Sequence, residues 1–286
     1  MRLAILSDIH GNLQALSAVL DDISRQGADQ VIVNGDLVNR GPNNVAVMER
    51  VMGAGYIVTL GNHDDLMRKW VSRDPDIPGE WFDDPFWEGT AWCARQLQGA
   101  GWLDALGSLP MTHRVAFPKA PVLLVSHGSP RHYREGYGSY LTGDDIAEIR
   151  RLHPADIFVG SHTHRPIERR WGRTLVLNTG ATGTPFNGDP RAQYLLLTLS
   201  EGVWHAEFRR VAYDRRLALE AFTSLNYLSE GGLSAHIFYE ELRCARSFFT
   251  PFWNWTEDEG RPRDWESWAA YQEAFAERFA EPQEDS

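Results

Sequence analysis

Five short clusters of metal-ligand residues punctuate this chain, and each follows directly on an apolar, branched run. Asp8-Ile9-His10 comes after Leu3 to Leu6, Gly35-Asp36 after Val31 to Val33, and Gly61-Asn62-His63-Asp64 after Tyr56 to Leu60. His127-Gly128 comes after Val122 to Val125, and Gly160-Ser161-His162-Thr163-His164 after Ile157 to Val159. Such runs read as buried strands. All the candidate ligands therefore sit at strand C-terminal ends. In an open α/β sheet the connecting loops at that edge converge on one crevice, which is where ligands bind.

Between the first two clusters, Leu13, Leu16, Leu20 and Ile23 recur at helical spacing until Gly27 breaks the pattern. A second helix around Val45 to Met52 leads to the third strand. This βαβαβ opening predicts parallel neighbouring strands with right-handed crossovers. Residues 65–110 differ: Trp70, Trp81, Phe82, Phe86, Trp87, Trp92 and Trp102 stand among prolines and acids with no strand-like alternation. The segment reads as a helical insertion beside the ligand-bearing edge. Its aromatics are expected to fill the insertion's own small core rather than to stack on a substrate, because buried aromatics dominate small cores.

Strand character returns at Pro121, and Thr142-Gly143-Asp144-Asp145 ahead of Ile146 and Ile149 is a capping box that opens a helix. From Thr174 to Arg210, three runs (Leu175 to Leu177, Tyr194 to Leu199, Trp204 to Phe208) predict a meander assigned to a second sheet. After about Asp214 the chain turns helical and aromatic, through Phe238, Leu242, Phe248, Phe249, Trp253 and Trp255, before an acidic end at Glu281 to Ser286. The expected division is a core over 1–213 and a C-terminal helical extension over 214–286. That extension has three roles open to it: packing on the core, covering the cleft, or forming a homo-oligomer.

With 286 residues, 43% of them hydrophobic, the chain can bury a substantial core. Its 28 basic against 39 acidic residues give a net charge of −11, which argues against broad capture of nucleic acid or an anionic membrane. An anionic substrate needs local positive charge, and metal ions supply it. Cys93 and Cys244 are too few for a disulfide framework or a thiolate metal site. The start at Met1-Arg2 enters a strand at once, with no apolar stretch suited to a signal peptide or membrane span. A cytoplasmic enzyme of bacterial or archaeal type is expected.

Imidazole nitrogen and carboxylate oxygen together suit borderline divalent ions such as Mn, Fe, Co, Ni or Zn, whereas an all-oxygen set suits Mg or Ca. Two such ions about 3.5 to 4 Å apart clamp the attacking and leaving oxygens of an in-line phosphoryl displacement. Asp-x-His and His-x-His pairs fit that need, because alternate residues of an extended segment project to one side.

In this order, the five clusters resemble the calcineurin-like metallophosphoesterase superfamily, whose pattern is Asp-x-His, Gly-Asp, Gly-Asn-His-Asp/Glu, His and Gly-His-x-His. The likeness is to its small bacterial and archaeal phosphodiesterase-like branch. It implies a four-layer α/β/β/α sandwich of two mixed β-sheets. It also implies one metal on Asp8, His10, Asp36 and His164, and a second on Asp36, Asn62, His127 and His162, with Asp36 as the bridge. A metal-bridging hydroxide is the implied nucleophile. His63 would protonate the leaving oxygen. Matching covers about residues 3 to 180, and Asn178-Thr179-Gly180 resembles the Asn-Pro-Gly segment of bacterial members.

The stretch from Gly35 to Pro42 looks like the segment of protein phosphatases and diadenosine tetraphosphatases in which Arg binds a phosphate oxygen, which makes Arg40 a substrate clamp. Protein phosphatases have Asp where this chain has Asn39, and that Asp partners the acid histidine. Without it His63 should titrate lower, unless Asp64 compensates. Ser161 replaces a His, with no expected loss of metal. His127 to Arg131 resembles small phosphodiesterases and offers Arg131 as a phosphate contact or a loop cap. His113, His132, His153, His205 and His236 lie outside the pattern and read as structural or surface residues, His132 being the first exception to consider.

The expected function is metal-dependent hydrolysis of a small phosphoester, a phosphodiester first and a nucleotide among the options, with two divalent ions, Mn foremost. The enzymatic rivals are a diadenosine polyphosphate hydrolase and a phosphoprotein phosphatase. From another class comes a metal-binding scaffold, since the retromer subunit keeps this fold mainly as a protein-binding surface. There the ligand set is eroded; here every position is filled. A nuclease is disfavoured by the acidic balance.

Overall fold

The computed structural model describes residues 1–138 and 141–282, so the end of the acidic tail, 283–286, lies outside the described residues. The chain opens with β1 (Arg2–Leu6), α1 (Leu13–Gln26), β2 (Gln30–Asn34), α2 (Asn44–Gly53), β3 (Ile57–Thr59) and α3 (Asn62–Ser72). Next come α4 (Glu88–Gly99), α5 (Leu103–Gly107), β4 (Thr112–Val115), β5 (Leu123–Ser126) and α6 (Gly143–Leu152). The strands β6 (Ile157–Gly160), β7 (Pro166–Trp171), β8 (Thr174–Thr179), β9 (Ala192–Ser200) and β10 (Val203–Val211) follow. The chain then runs through α7 (Arg215–Ser224), α8 (Tyr227–Glu230), α9 (Gly232–Cys244), α10 (Phe249–Asp258) and α11 (Trp265–Ala274).

Two five-stranded mixed sheets result, in the orders β10-β9-β1-β2-β3 and β4-β5-β6-β8-β7. The opening βαβαβ unit forms parallel pairs β1 with β2 and β2 with β3. Strand alternation sorts the side chains into layers. Leu3 and Ile5 of β1 point between the sheets and meet Val125, Val159, Leu177, Leu195 and Leu197. Ala4 and Leu6 point the other way, onto Leu16, Val19, Leu20 and Ile23 of α1. On the far side, Leu124, Phe158 and Val176 of the second sheet pack under Ile146 and Ile149 of α6. The four layers are helix, sheet, sheet and helix.

The meander assignment is corrected by the strand pairing. Only β8 belongs to the second sheet; β9 lies antiparallel to β1 in the first sheet, and β10 pairs with β9. Beyond β8 the chain crosses between sheets, where Thr182 N–H donates to Ser7 O and Gly183 N–H to Asp8 O. Alternation in Tyr194 to Leu199 marks a strand but does not say which sheet it joins. Two edge strands, β4 and β7, escaped the sequence reading because their sequences, THRV and PIERRW, carry the charges of exposed edges.

The aromatics of residues 65–110 do not close a core of their own. Trp70, Phe86 and Trp87 are buried in one cluster with Phe249 and Trp253 of α10. The C-terminal helices thereby lie against the same edge of the core as α3 and α4.

Candidate metal centre

The strand ends deliver their ligands on strained turns. Among the described residues, twelve non-glycine residues have positive φ, and seven of these are Asp8, His10, Asp36, Asn39, Arg40, His162 and His164. L residues enter this region at a cost, and such strain gathers at functional sites. Two glycines permit the tight approach: a Cβ on Gly35 would lie 2.6 Å from Gly61 N, and one on Gly61 would lie 2.2 Å from Asp36 N.

Three groups of ligand atoms result: Asp8, His10 and His164; His10, Asp36 and His63; Asp36, His127 and His162. Within each group the atoms lie within 4.8 Å of one another. Asp36 Oδ2 stands between the sets, 3.2 Å from His127 Nε2 and 3.7 Å from His10 Nε2. Asp8 Oδ1 is 3.3 Å from His164 Nε2. Asn62 Oδ1 lies 3.2 Å from His127 Nε2. All eight residues placed at the site by sequence as ligands or acid meet here.

The carboxylates are half-satisfied in a matching way. Ser7 Oγ donates to Asp8 Oδ2 at 2.7 Å, and His63 N–H donates to Asp36 Oδ1 at 2.8 Å. The other oxygens, Asp8 Oδ1 and Asp36 Oδ2, are buried without a hydrogen-bond partner. Buried carboxylate oxygens with no donor are costly unless a cation faces them. The imidazoles agree. His10, His127 and His164 direct Nδ1 at the backbone carbonyls of Val38, Asn34 and Thr184. A proton donated at Nδ1 leaves the Nε2 lone pair facing inward, the usual orientation of a metal-ligating histidine. In those tautomers the Nε2 atoms of His10 and His164, 3.2 Å apart, aim two lone pairs at each other. A divalent cation fits this donor set.

Protonation favours the same outcome. Burial holds His10 well below its ordinary value despite the pull of Asp36, and burial followed by the charge on His127 brings His162 down to about 4. Asp36 is held ionised, the histidines around it outweighing its burial. His127 is the exception. Burial disfavours its imidazolium, yet Asp36 and then Asp8 push it up to about 10, so a cation there must displace a proton.

His63 carries a donor at each ring nitrogen: Asn39 Nδ2 is 2.8 Å from Nδ1, and Arg40 Nε is 3.3 Å from Nε2. Burial, joined by the charge of Arg40, outweighs the pull of Asp36 and holds His63 well below its ordinary value. Asp64 does not compensate. Its carboxylate accepts the backbone N–H groups of Asp36, Leu37 and Gly61 and so fixes the Gly-Asp loop, while burial and then Asp36 push it up to about 7.

Arg131 is not brought to the cluster by any of its contacts. Its guanidinium is taken by Glu135 at 2.9 Å and Glu148 at 2.6 Å, a loop-to-helix clasp. His132 is exposed, and its Nδ1 accepts Arg134 N–H. Ser161 occupies its buried position through Asn34 Nδ2 at 2.8 Å and Thr179 Oγ1 at 3.1 Å. Asn178 donates to Ser161 O and Thr163 Oγ1, bracing the last cluster.

Two residues of the site had no signal in the sequence. Phe186 stacks on the His164 ring, centroids 4.3 Å apart and planes at 10°. Glu241 of α9, fully buried, lies 2.7 Å from Arg40 Nη1. The extension thus reaches the ligand-bearing edge.

A double sheet whose strand ends carry such a carboxylate and imidazole cluster defines a metal-binding hydrolase architecture. The sequence model of the calcineurin-like phosphoesterases matches residues 1–166. The chain belongs to that family, and it is a phosphoester hydrolase. It is 27% identical to the uncharacterized protein MJ0912 of Methanocaldococcus jannaschii, over 76% of this chain and 90% of that one. It is 24% identical to the phosphodiesterase YfcE of Escherichia coli K12, over 68% and 87% of the two chains. Among solved structures, a metallophosphoesterase from Sphaerobacter thermophilus superposes with a TM-score of 0.62 at 28% identity, covering 81% of this chain and 99% of that one. Among the described residues, no helix is long and apolar enough to cross a membrane.

Proposed function

We propose that this protein hydrolyses a small phosphodiester with two divalent metal ions, Mn first and Fe, Zn, Co or Ni as alternatives. The observation that carries the reading is the pair of orphaned buried oxygens, Asp8 Oδ1 and Asp36 Oδ2, ringed by imidazole nitrogens at two adjoining positions. Asp8, His10 and His164 would hold one ion, and Asn62, His127 and His162 the other, with Asp36 shared. Bound there, divalent ions supply positive charge against phosphate oxygens and an acidified water. The diester preference is supported by the likeness to the phosphodiesterase YfcE.

The chain's own groups divide the remaining work. Asp36 keeps Oδ1 on the His63 backbone and turns Oδ2 inward, which fixes the distance between the two ligand sets. His63 would act as the acid at the leaving oxygen. To do so it must carry its proton on Nε2, which requires Arg40 Nε to swing off that nitrogen toward the incoming phosphate. We take residues 1–213 as the catalytic core and 214–286 as an extension closing over it. The buried, unpaired thiols of Cys93 and Cys244 suit a reducing, cytoplasmic setting.

The test is hydrolysis of bis-p-nitrophenyl phosphate, p-nitrophenyl phosphate and diadenosine tetraphosphate by chelator-stripped protein with and without Mn²⁺. Mn-dependent turnover favouring the diester is expected. Equal turnover of monoester and diester overturns the diester preference, and silence on all three with metal bound points to a narrower substrate or to the scaffold reading.

A further inference from the structure

Beside the metal centre lies a second cleft, of about 490 Å³, whose lining includes Arg165, Phe186, Asn187, Arg246, Ser247 and Arg278. Three of its walls are arginines and none is an acid. In a chain with 39 acidic against 28 basic residues, that grouping is against the odds. Several arginines elsewhere are taken by carboxylates: Arg131 by Glu135 and Glu148, Arg209 by Asp22 and Glu207, Arg243 by Glu240. Among the described residues, the three cleft arginines have no carboxylate within ion-pair distance. Arg165 Nε donates to Phe186 O, Arg278 donates to Ser247 O and Tyr271 Oη, and the Arg246 guanidinium has no partner.

The cleft and the metal centre share a wall. Phe186 stacks on His164 with one face, and Arg165 is the next residue after that histidine. Phe186 is therefore common to the wall of the cleft and to the packing of a candidate ligand. The core contributes Arg165 from the loop that leaves β6, and Phe186 and Asn187 from the crossover between β8 and β9. Arg246 and Arg278 come from the C-terminal extension.

We infer that this cleft is a subsite for a second phosphate of the substrate, so that the substrate carries a phosphomonoester in addition to the ester that is cleaved. A phosphomonoester bears close to two negative charges at neutral pH. Guanidinium forks match its oxygens with two parallel N–H···O bonds, and uncompensated ones keep their full attraction for it. The inference rests on the hydrolase reading for the first phosphate. It adds a class: a compound with phosphates at two positions.

Calorimetry on the Mn²⁺-loaded protein tests it by affinity and not by turnover, comparing thymidine 3′,5′-bisphosphate, thymidine 5′-monophosphate and inorganic phosphate. The bisphosphate is expected to bind at least about tenfold more tightly than the monophosphate. Arg246→Ala, an exposed site without partners, should bring that ratio close to one, and Arg246→Lys should retain part of it. Arg278→Ala provides a second reading, although its bonds to Ser247 and Tyr271 also hold the fold. Equal affinities in the wild type, or a ratio untouched by Arg246→Ala, overturn the subsite. Inorganic phosphate binding as tightly as the bisphosphate makes the cleft a separate anion site, which also overturns it. Turnover of bis-p-nitrophenyl phosphate by the wild type reports on the hydrolase reading alone, so a failure of either idea is visible by itself.

Discussion

The guanidinium of Arg40 lies 2.7 Å from the carboxylate of Glu241, a residue 201 positions later in the chain. Glu241 is fully buried, and its other oxygen accepts the backbone N–H groups of Phe248 and Phe249, which ties α9 to the start of α10. The rings of Phe238 and Phe249 lie 5.1 and 5.7 Å from the same guanidinium. A residue at the ligand-bearing edge and the C-terminal helices are therefore one polar unit in an apolar setting.

Breaking this pair from one side should be expensive. Removing one partner of a buried ion pair strands the other charge, at about 3–5 kcal/mol. Glu241→Ala should lose that much in denaturant unfolding, and Glu241→Gln less, because its carbonyl oxygen still accepts from Phe248 and Phe249. The double variant Arg40→Met with Glu241→Ala should recover part of the loss. Strictly additive losses would mean the two side chains do not interact.

Much of the site is legible in the amino-acid sequence, because its residues sit where the chain announces them. Asp8, Asp36 and His127 each end an apolar run, and β-branched runs mark both the strand and its end. Glu241 is not legible: it stands in a helix among Glu240 and Arg243, and nothing local distinguishes it from a solvated charge. Phe186 is hidden by the same limit, since stacking on His164 is a property of the loop's path. The sheet membership of β9 escapes for a related reason. Leu195 and Leu197 face the inter-sheet core whichever sheet they join, so their pattern does not encode the neighbour.

The orphaned oxygens should make stability depend on metal. A ligand that binds only the folded state stabilises it by RT ln(1 + [L]/Kd), about 2.7 kcal/mol at a hundredfold excess over Kd. Mn²⁺ added to chelator-stripped wild type should raise Tm. Asp36→Asn, which neutralises the oxygen shared by both ligand sets, should show little rise, lose bound metal on elemental analysis and lose activity. A full thermal response in this variant would remove Asp36 from the bridge.

His63 is expected to act on the leaving group and not to hold metal, although it lies among the ligands. His63→Ala should keep the metal content of the wild type and lose about 10² to 10⁴-fold in rate, the usual worth of a positioned proton donor. A leaving group that needs no proton, such as p-nitrophenolate, should be affected less than an alkyl alcohol. Loss of metal would place His63 in the ligand set, and an equal loss on both leaving groups would remove its role as acid.

A buried carboxylate outside the ligand cluster gives the pH dependence a separate test. Asp22 of α1 accepts Tyr194 O–H at 2.8 Å and Arg209 Nη2 at 3.1 Å, joining the helix to β9 and β10. Burial works against its charge, but Tyr194 and Arg209 together hold its carboxyl below the ordinary value. A depressed folded pKa means the unfolded chain takes up the proton first, so the stabilisation is complete above the unfolded value of about 3.9 and is lost as pH falls through the folded one. Asp22→Asn should therefore cost about 1.5–3 kcal/mol at neutral pH, the range for hydrogen bonds to a charged group. Its difference from the wild type should begin to shrink below about pH 4, where the unfolded chain's carboxyl takes up a proton ahead of the native one. Urea unfolding of both proteins between pH 3 and 8 reads the gap directly. A gap that stays constant across that range would mean that the partners of Asp22 respond to its shape and not to its charge.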